Sequence, residues 1–146
     1  MESFTVGLAS DHAGFALKEQ LIPYLMEQGY SVKDFGAYSP ERSDYPDYAH
    51  PLAEAIVKGE CKYGITICWT GNGINITMNR HKGVRSAMCL CTEMAELARK
   101  HNDANSCSLA SKYTDTEEAK KIVSIFLSSP FEGGRHLCRV EKIELE

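Results

Sequence analysis

The chain has 146 residues, of which 43% are hydrophobic and 25% charged, and its formal net charge at pH 7 is −4. These values are typical of a single globular domain (residues 1–146), and the negative charge argues against nucleic acid or an acidic membrane surface as the main partner. No apolar run approaches the roughly 20 residues of a membrane helix. The chain begins with a strand-like segment rather than a signal-peptide pattern, so we expect a cytoplasmic location.

The sequence alternates short apolar segments with amphipathic ones. Pro23 predicts a kink or break inside the first helix. Thr92 is the predicted N-cap of the fourth helix, with Met94, Leu97 and Ala98 facing the core. The predicted elements are, in chain order, strand 4–9, helix 14–28, strand 30–35, helix 48–57, strand 63–67, helix 72–79, strand 84–89, helix 92–98, strand 106–109 and a helix from Asp115 that buries Ala119, Ile122, Val123, Phe126 and Leu127.

Strands that alternate with helices predict a parallel sheet with helices on both faces. Five such strands indicate an α/β fold, a Rossmann-like three-layer αβα sandwich. Residues 128–146 differ, because a Gly133-Gly134 turn leads into a short helix that carries Arg135 and Arg139 on one face. We expect this C-terminal helical arm to pack on a neighbouring subunit.

The cysteines are scattered and form no C-x-x-C pair, which argues against a metal site of that kind. A chain of this size without a secretion signal is also not expected to carry a disulfide framework. Cys89 and Cys91 lie two residues apart in an apolar segment, so we expect both to face the same side of a strand as buried, reduced thiols. The six are Cys61, Cys68, Cys89, Cys91, Cys107 and Cys138.

The most informative segment is the predicted third strand, which ends in Cys68 and continues as Trp69-Thr70-Gly71-Asn72-Gly73. In open α/β sheets, loops at the carboxyl ends of strands bind ligands. Glycines allow successive backbone N–H groups to turn inward and hold an anion. A thiol beside such a loop is either an acid/base group or a nucleophile.

Three common phosphate loops do not fit this spacing. A Walker A loop requires Lys after its last glycine, but Gly73 is followed by Ile74. A cysteine phosphatase loop requires an arginine six positions after the cysteine, where this chain again has Ile74. A dinucleotide fingerprint requires a third glycine where Ile76 stands.

Two further polar segments accompany the cysteine loop, one at Asp11 and His12 and one at His101. Taken singly, Asp11 is explained as a helix cap and His101 as a favourable charge at a helix C-terminus. Together with the loop they are predicted to surround one crevice. Arg135 and Arg139 either bind an oxyanion such as phosphate or form a solvated face paired with Glu132 or Glu141. These candidate residues include no group of metal ligands, and they suit the binding of a phosphorylated small molecule that undergoes proton transfer.

Four segments, in order and at matching spacing, closely resemble the type B ribose-5-phosphate isomerases, a family that includes the allose-6-phosphate and galactose-6-phosphate isomerases. The segments are Asp11-His12-Ala13-Gly14, Cys68 to Gly73, His101-Asn102-Asp103-Ala104-Asn105, and Glu132-Gly133-Gly134-Arg135-His136-x-x-Arg139-Val140. Residues 44–49 and 79–85 fit the family as well. The resemblance runs nearly end to end.

The resemblance implies an aldose–ketose isomerase of pentose phosphate metabolism, without metal or organic cofactor, that interconverts ribose 5-phosphate and ribulose 5-phosphate. It implies sites between the subunits of a homodimer, or of a dimer of dimers. The implied catalytic residues are Cys68 as the base that carries a proton between C2 and C1, His101 for ring opening, and Thr70 beside the enediolate oxygen. The implied substrate-binding residues are Asp11, His12, Trp69, Gly71, Asn72, Gly73 and Asn102, with Arg135 and Arg139 as phosphate ligands.

Two positions depart from the family pattern. Trp69 stands where the family usually has glycine, and Lys112 stands where many members have arginine. Trp69 either points away from the crevice or narrows the sugar pocket, and Lys112 replaces a bidentate phosphate ligand by a point charge. The alternative functions are therefore isomerisation of a six-carbon aldose phosphate, or a non-catalytic phosphosugar-binding module.

Overall fold

The sheet has five strands in the order β2-β1-β3-β5-β4, and every neighbouring pair is parallel. The computed structural model describes residues 3–145, and no helix in that range is long and apolar enough to cross a membrane. The predicted three-layer α/β fold is thus confirmed. The elements are β1 Thr5–Ser10, α1 Phe15–Glu27, β2 Ser31–Asp34, α2 Tyr45–Lys58, β3 Tyr63–Cys68, α3 Asn72–Asn79, β4 Ser86–Met88, α4 Thr92–Asn102, β5 Ser106–Ala110, α5 Thr116–Ser128 and α6 Arg135–Glu141.

Each face of the sheet has its own apolar core. The larger core packs α1, α4 and α5 against one face, and the smaller core packs α2 and α3 against the other. The central strand β3 is buried along its whole length. This burial explains why its sequence is a continuous apolar run, since parallel strands are covered on both faces.

Helix α1 continues through Pro23, so the predicted break is wrong. Proline removes one backbone donor from a helix interior. Leu21 and Leu25, on either side of it, are fully buried in the larger core, and their packing outweighs the lost hydrogen bond.

Helix α4 is rotated relative to its prediction. Ala98 is buried as expected, but Met94 and Leu97 are 39% and 38% exposed, and Ala95 and Arg99 take the buried face. The Arg99 guanidinium donates to the carbonyls of Ser129 and Ala104 at 3.1 and 2.7 Å and to Asp103 at 2.8 Å, so its burial is compensated. The predicted Thr92 cap is also wrong, because the N-cap is Cys91 and no side chain caps this helix.

The prediction that Cys89 and Cys91 share one buried face is wrong as well. Strand β4 ends at Met88, so strand alternation does not reach them. Cys89 is buried, whereas Cys91 is exposed at the start of α4. All six thiols are free.

Gly14 sets how closely α1 approaches the central strand. A Cβ at this position would lie 2.5 Å from the carbonyl oxygen of Ile67, which immediately precedes Cys68. Only a residue without a side chain lets the N-terminus of α1 pack directly on the end of β3. The backbone of Ile67 cannot move aside without disturbing the sheet.

We expect Gly14→Ala to lower the free energy of unfolding by about 1–3 kcal/mol, because the methyl group overpacks the backbone of β3. Gly29→Ala is the control, since Gly29 has a φ of +96° but a Cβ there would meet no atom within 4 Å. That variant is strained only locally and is expected to lose about 1 kcal/mol. Urea unfolding measures both. A Gly14→Ala variant as stable as the wild type would contradict the close packing.

Candidate active site

Cys68 is the last residue of β3 and is 4% exposed. It pairs in register with Ala110 at the end of β5, and its carbonyl accepts a hydrogen bond from the backbone N–H of Ser111 at 3.0 Å. Both central strands therefore hold the thiol at the carboxyl edge of the sheet.

The loop after Cys68 turns directly into helix α3. Gly71 has a φ of +80°, and a Cβ there would lie 2.8 Å from the Met88 sulfur and 3.2 Å from the Leu109 carbonyl oxygen. Gly73 is just as crowded, because a Cβ would overlap the ring of Tyr45. Asn72 begins α3 and is exposed, and Thr70 is half-buried.

No side chain caps the N-terminus of α3. The N–H groups of a first helical turn have no intrahelical partner and carry partial positive charge. Here they lie at the end of the loop that begins at Cys68. The arrangement can stabilise a negative charge close to the thiol.

Trp69 lies at the surface, 53% exposed, rather than in the core. The Lys112 ammonium lies 5.4 Å from the centre of its ring. The two residues are also joined through the backbone, since the Lys112 N–H donates to the Trp69 carbonyl at 2.9 Å. Both departures from the family pattern thus form one contact at the rim of the cysteine loop.

Asp11 and His12 lie at the end of β1, beside β3, and are tied to local backbone. One Asp11 oxygen accepts from the backbone N–H groups of Ala13 and Gly14 at 3.0 and 3.1 Å, which holds the turn before α1. The N-cap of α1 is Gly14, and no side chain caps this helix, so the interpretation of Asp11 as its helix cap is wrong. The His12 Nδ1 lies 3.1 Å from the Ser43 carbonyl oxygen, and the His12 N–H donates to the Ser43 hydroxyl at 3.1 Å. The contact with Ser43 therefore orients the imidazole.

The remaining predicted residues form a second group, around His101 at the end of α4. The rings of His101 and His136 are stacked, with centroids 4.4 Å apart and planes inclined by 14°. Burial lowers the pKa of His136, and the charges of His101 and Arg135 lower it further. A cavity of about 330 Å³ opens here, lined by His101, Asn102, His136, Arg139, Val140 and Ile143.

The arginine arm belongs to this second group. Arg135 and Arg139 are exposed on α6, and the arm is attached to α4 by a hydrogen bond of 3.1 Å from the Glu132 N–H to the Lys100 carbonyl. Glu132 Oε1 lies 3.5 Å from His136 Nε2 and 3.9 Å from His101 Nε2. The donor atoms of these three residues all lie within 4.8 Å of one another, a metal-ligand geometry that the sequence inventory did not contain.

The two groups lie at opposite edges of the sheet. The Gly64 N–H, at the start of β3, donates to the Asn105 carbonyl at 2.9 Å, and Asn105 follows α4 by three residues. Cys68 is at the other end of β3, and α4 alone spans roughly 16 Å at 1.5 Å per residue. The predicted single crevice is therefore wrong for one copy of the chain.

Sequence reasoning missed Ser43, Tyr45 and His136 as parts of these groups. Tyr45 lies in the 44–49 segment that matched the family, but nothing in the sequence indicated its contact with Gly73. The four-residue spacing of Glu132 and His136 was a signal available for the second group.

Comparisons with known proteins agree along nearly the whole chain. A family model described as Ribose/Galactose Isomerase matches residues 6–143. The chain is 44% identical over 138 residues to ribose-5-phosphate isomerase B of Escherichia coli (strain K12), an alignment that covers 94% of this chain and 93% of the relative.

Solved structures are similarly close. A ribose 5-phosphate isomerase from Thermotoga maritima matches with a TM-score of 0.94 and 46% identity, covering 97% of this chain and 98% of that one. Ribose-5-phosphate isomerase B from Mycoplasma genitalium with bound ribulose-5-phosphate matches with a TM-score of 0.92 and 39% identity, covering 98% and 95%.

Trp69 is the single tryptophan of the chain and reports on its contact with Lys112. A cation–π contact at an exposed site contributes about 0.5–1 kcal/mol, so Lys112→Ala should raise acrylamide quenching of the Trp69 fluorescence by up to about twofold. Lys120→Ala is the matched control, because Lys120 covers the ring of Tyr24 at 5.3 Å instead. Unchanged quenching in Lys112→Ala would contradict the contact.

Proposed function

The chain belongs to the ribose/galactose isomerase family and is a sugar-phosphate isomerase, and on this premise we propose that it interconverts ribose 5-phosphate and ribulose 5-phosphate. The observation that carries the proposal is the Cys68 thiol at the end of β3, beside the uncapped first turn of α3. A base next to a preformed anion site is what proton transfer at a carbon beside a carbonyl requires.

The first step in this mechanism opens the furanose ring. His101 is the acid/base group for that step, since its imidazole is 40% exposed and borders the cavity between α4 and α6. It gives a proton to the ring oxygen while the hydroxyl at C1 loses one. The open-chain aldehyde then presents its C2 proton to the thiolate of Cys68.

The second step moves a proton from C2 to C1. The Cys68 thiolate removes the C2 proton, the electron pair forms the C1–C2 double bond, and the aldehyde oxygen becomes the negative oxygen of an enediolate. The N–H groups between Trp69 and Gly73, together with the Thr70 hydroxyl, stabilise that oxygen. Donors arranged in advance typically contribute about 3–4 kcal/mol to such a step. A proton then passes from O2 to O1, and Cys68 returns its own proton to C1.

Arg135 and Arg139 bind the phosphate in this proposal, and Asp11, His12 and Asn102 hold the sugar hydroxyls. The guanidinium groups lie one helical turn apart on α6 and are exposed, so both can donate to one anion. Lys112, in the Cys68 group, supplies a further positive charge to the phosphate, as a single ammonium rather than the bidentate donor that an arginine would be. Binding energy at the phosphate positions the reacting carbons.

A complete site in this proposal needs two copies of the chain. The Cys68 group and the His101 group lie at opposite edges of one sheet, so Cys68 of one copy meets His101 of another. A symmetric dimer makes two such sites. Ile76 beside the cysteine loop and Leu137 between the two arginines are 55% and 48% exposed, which supports burial of both regions in a dimer. A dimer of dimers repeats this pair of sites.

The six free thiols suit the reducing cytoplasm.

Cys68→Ser should lower kcat for ribose 5-phosphate by at least about a hundredfold, because a hydroxyl is a far weaker proton acceptor at neutral pH than a thiol. The two side chains are nearly the same size, so circular dichroism and thermal unfolding should match the wild type. Cys138→Ser, at an exposed cysteine on α6, is the control and should keep full activity. A fully active Cys68→Ser would rule out the assigned base.

Co-expression of Cys68→Ser with His101→Asn tests whether the site is shared. Each variant alone is expected to have little activity, but half of randomly mixed dimers are heterodimers, in which one of the two sites is intact. About a quarter of the wild-type activity should therefore return. Purified heterodimers, separated by two different affinity tags, should show about half. Activity that never returns would mean that each site is built within one chain.

Trp69 decides sugar length in this proposal, since an indole beside Cys68 leaves less room than glycine. Trp69→Gly should raise kcat/KM for allose 6-phosphate relative to ribose 5-phosphate by about tenfold, the usual size of a one-carbon discrimination. Trp69→Phe keeps an aromatic ring and should keep a ratio close to that of the wild type. If both variants leave the ratio unchanged, Trp69 does not limit the pocket.

A further inference from the structure

Three donor atoms of different side chains converge between α4 and the C-terminal arm. The Nε2 atoms of the stacked His101 and His136 rings both lie near Glu132 Oε1, at 3.9 and 3.5 Å. All three donors lie within 4.8 Å of one another. The mechanism above uses only His101 of these three.

His136 supplies a second, independent observation. Its side chain is 9% exposed, and its Nε2 is buried without a hydrogen-bond partner within residues 3–145. Buried polar atoms without a partner are rare, and each one calls for an explanation. This one is directed at the carboxylate of Glu132, so a ligand held between them would satisfy it.

The chemistry of the donors selects the ligand. Two imidazoles and one carboxylate are a set that zinc and similar borderline cations accept, with an open fourth position. Tetrahedral zinc with bonds of about 2.0–2.1 Å separates its ligand atoms by about 3.4 Å. The two distances to Glu132 are already near this value. A metal ion binds an imidazole in the plane of its ring, so the His101 ring must rotate out of its stack on the buried His136 ring before both Nε2 atoms reach one ion; the His101 and Glu132 side chains are 40% and 49% exposed, which leaves room for that rotation.

The charges nearby limit the affinity. Arg135 and Arg139 lie on the same short helix as His136 and repel a cation, whereas Glu132 attracts it. Calcium and magnesium prefer oxygen ligands and gain little from two imidazoles. These opposing effects favour a site that binds and releases its ion rather than a permanent structural one.

We propose that His101, Glu132 and His136 form a binding site for a zinc-class divalent cation, and that an ion held there inhibits the isomerase reversibly. Coordination occupies the Nε2 electron pair of His101, which then can neither accept nor return the proton of the ring-opening step. The inhibitory part rests on the proposed function, whereas the binding part does not.

Cobalt(II) titration of the full-length protein tests binding without reference to activity. We expect one Co²⁺ per chain, with visible absorption bands of the intensity typical of four-coordinate cobalt. His136→Asn should abolish the bands, and Glu132→Gln should weaken binding by about tenfold or more. Glu132 is half-exposed, so Glu132→Gln keeps the test valid if His136→Asn does not fold.

Two controls exclude other ligands. His81→Asn removes a half-buried imidazole whose Nε2 lies 2.6 Å from His50 Nδ1, in the second histidine pair of the described chain. Cys68→Ser removes the candidate catalytic thiol. The cobalt bands should persist in both variants. The wild-type spectrum should show no charge-transfer absorption from a thiolate ligand. Bands that depend on His81 or Cys68 and survive Glu132→Gln and His136→Asn would overturn the proposal.

Inhibition is measured on the same proteins. Zn²⁺ should lower the isomerase rate of the wild type, EDTA should restore it, and Glu132→Gln should need about tenfold more Zn²⁺ for the same loss. An active enzyme that binds no Co²⁺ refutes the metal site. A protein that binds Co²⁺ at these residues but has no isomerase activity supports the site and refutes the proposed function instead.

Discussion

All five strands of the sheet run in the same direction, and this constraint decides which polar residues can meet. A parallel sheet forces the chain to return through a helix after each strand. A residue that ends a strand therefore lies at the carboxyl edge, and a residue that ends the following helix lies at the amino edge. Cys68 ends β3 and His101 lies in the last turn of α4, so one copy of the chain separates them by about the length of that helix.

The cysteine loop depends on close packing that leaves little freedom. Gly14 lets α1 contact the backbone of β3 immediately before Cys68, Gly71 lies against Met88, and Gly73 lies against Tyr45. Each contact joins the loop to a different element. The backbone N–H groups beside the thiol are consequently held by the core on both sides of the sheet, which is the kind of rigid support that an anion site needs.

Much of this fold could be predicted from the sequence because the helices are strongly amphipathic. Every residue that α5 was predicted to bury is buried, and α3 has the predicted bounds. Helix α4 misled the prediction, because apolar periodicity favours Met94 and Leu97 over an arginine. Arg99 is buried only because the carbonyls of Ala104 and Ser129 and the carboxylate of Asp103 accept its hydrogen bonds, and those partners come from outside the helix.

The motifs in the sequence singled out residues of both groups, and the resemblance implied sites between subunits, but the residues alone predicted one crevice rather than two separate groups. Motifs read along the chain carry no information about which edge of the sheet they occupy. The direction of the strands does determine the edge, because a histidine that ends a helix just before a parallel strand must lie at the amino edge of the sheet. The contact between Trp69 and Lys112 is different, because no periodicity determines the direction of an exposed side chain.

The second group shows how a terminal arm acquires a fixed geometry. Helix α6 has seven residues and is too short to be stable alone. It is held by the stacking of His136 on His101 and by the hydrogen bond from the Glu132 N–H to Lys100. The two arginines therefore move together with the His101 imidazole, although one lies on α4 and the others on the arm. These contacts fix the positions of the arginines relative to the His101 imidazole, and they bring the donor atoms of His101, Glu132 and His136 within 4.8 Å of one another.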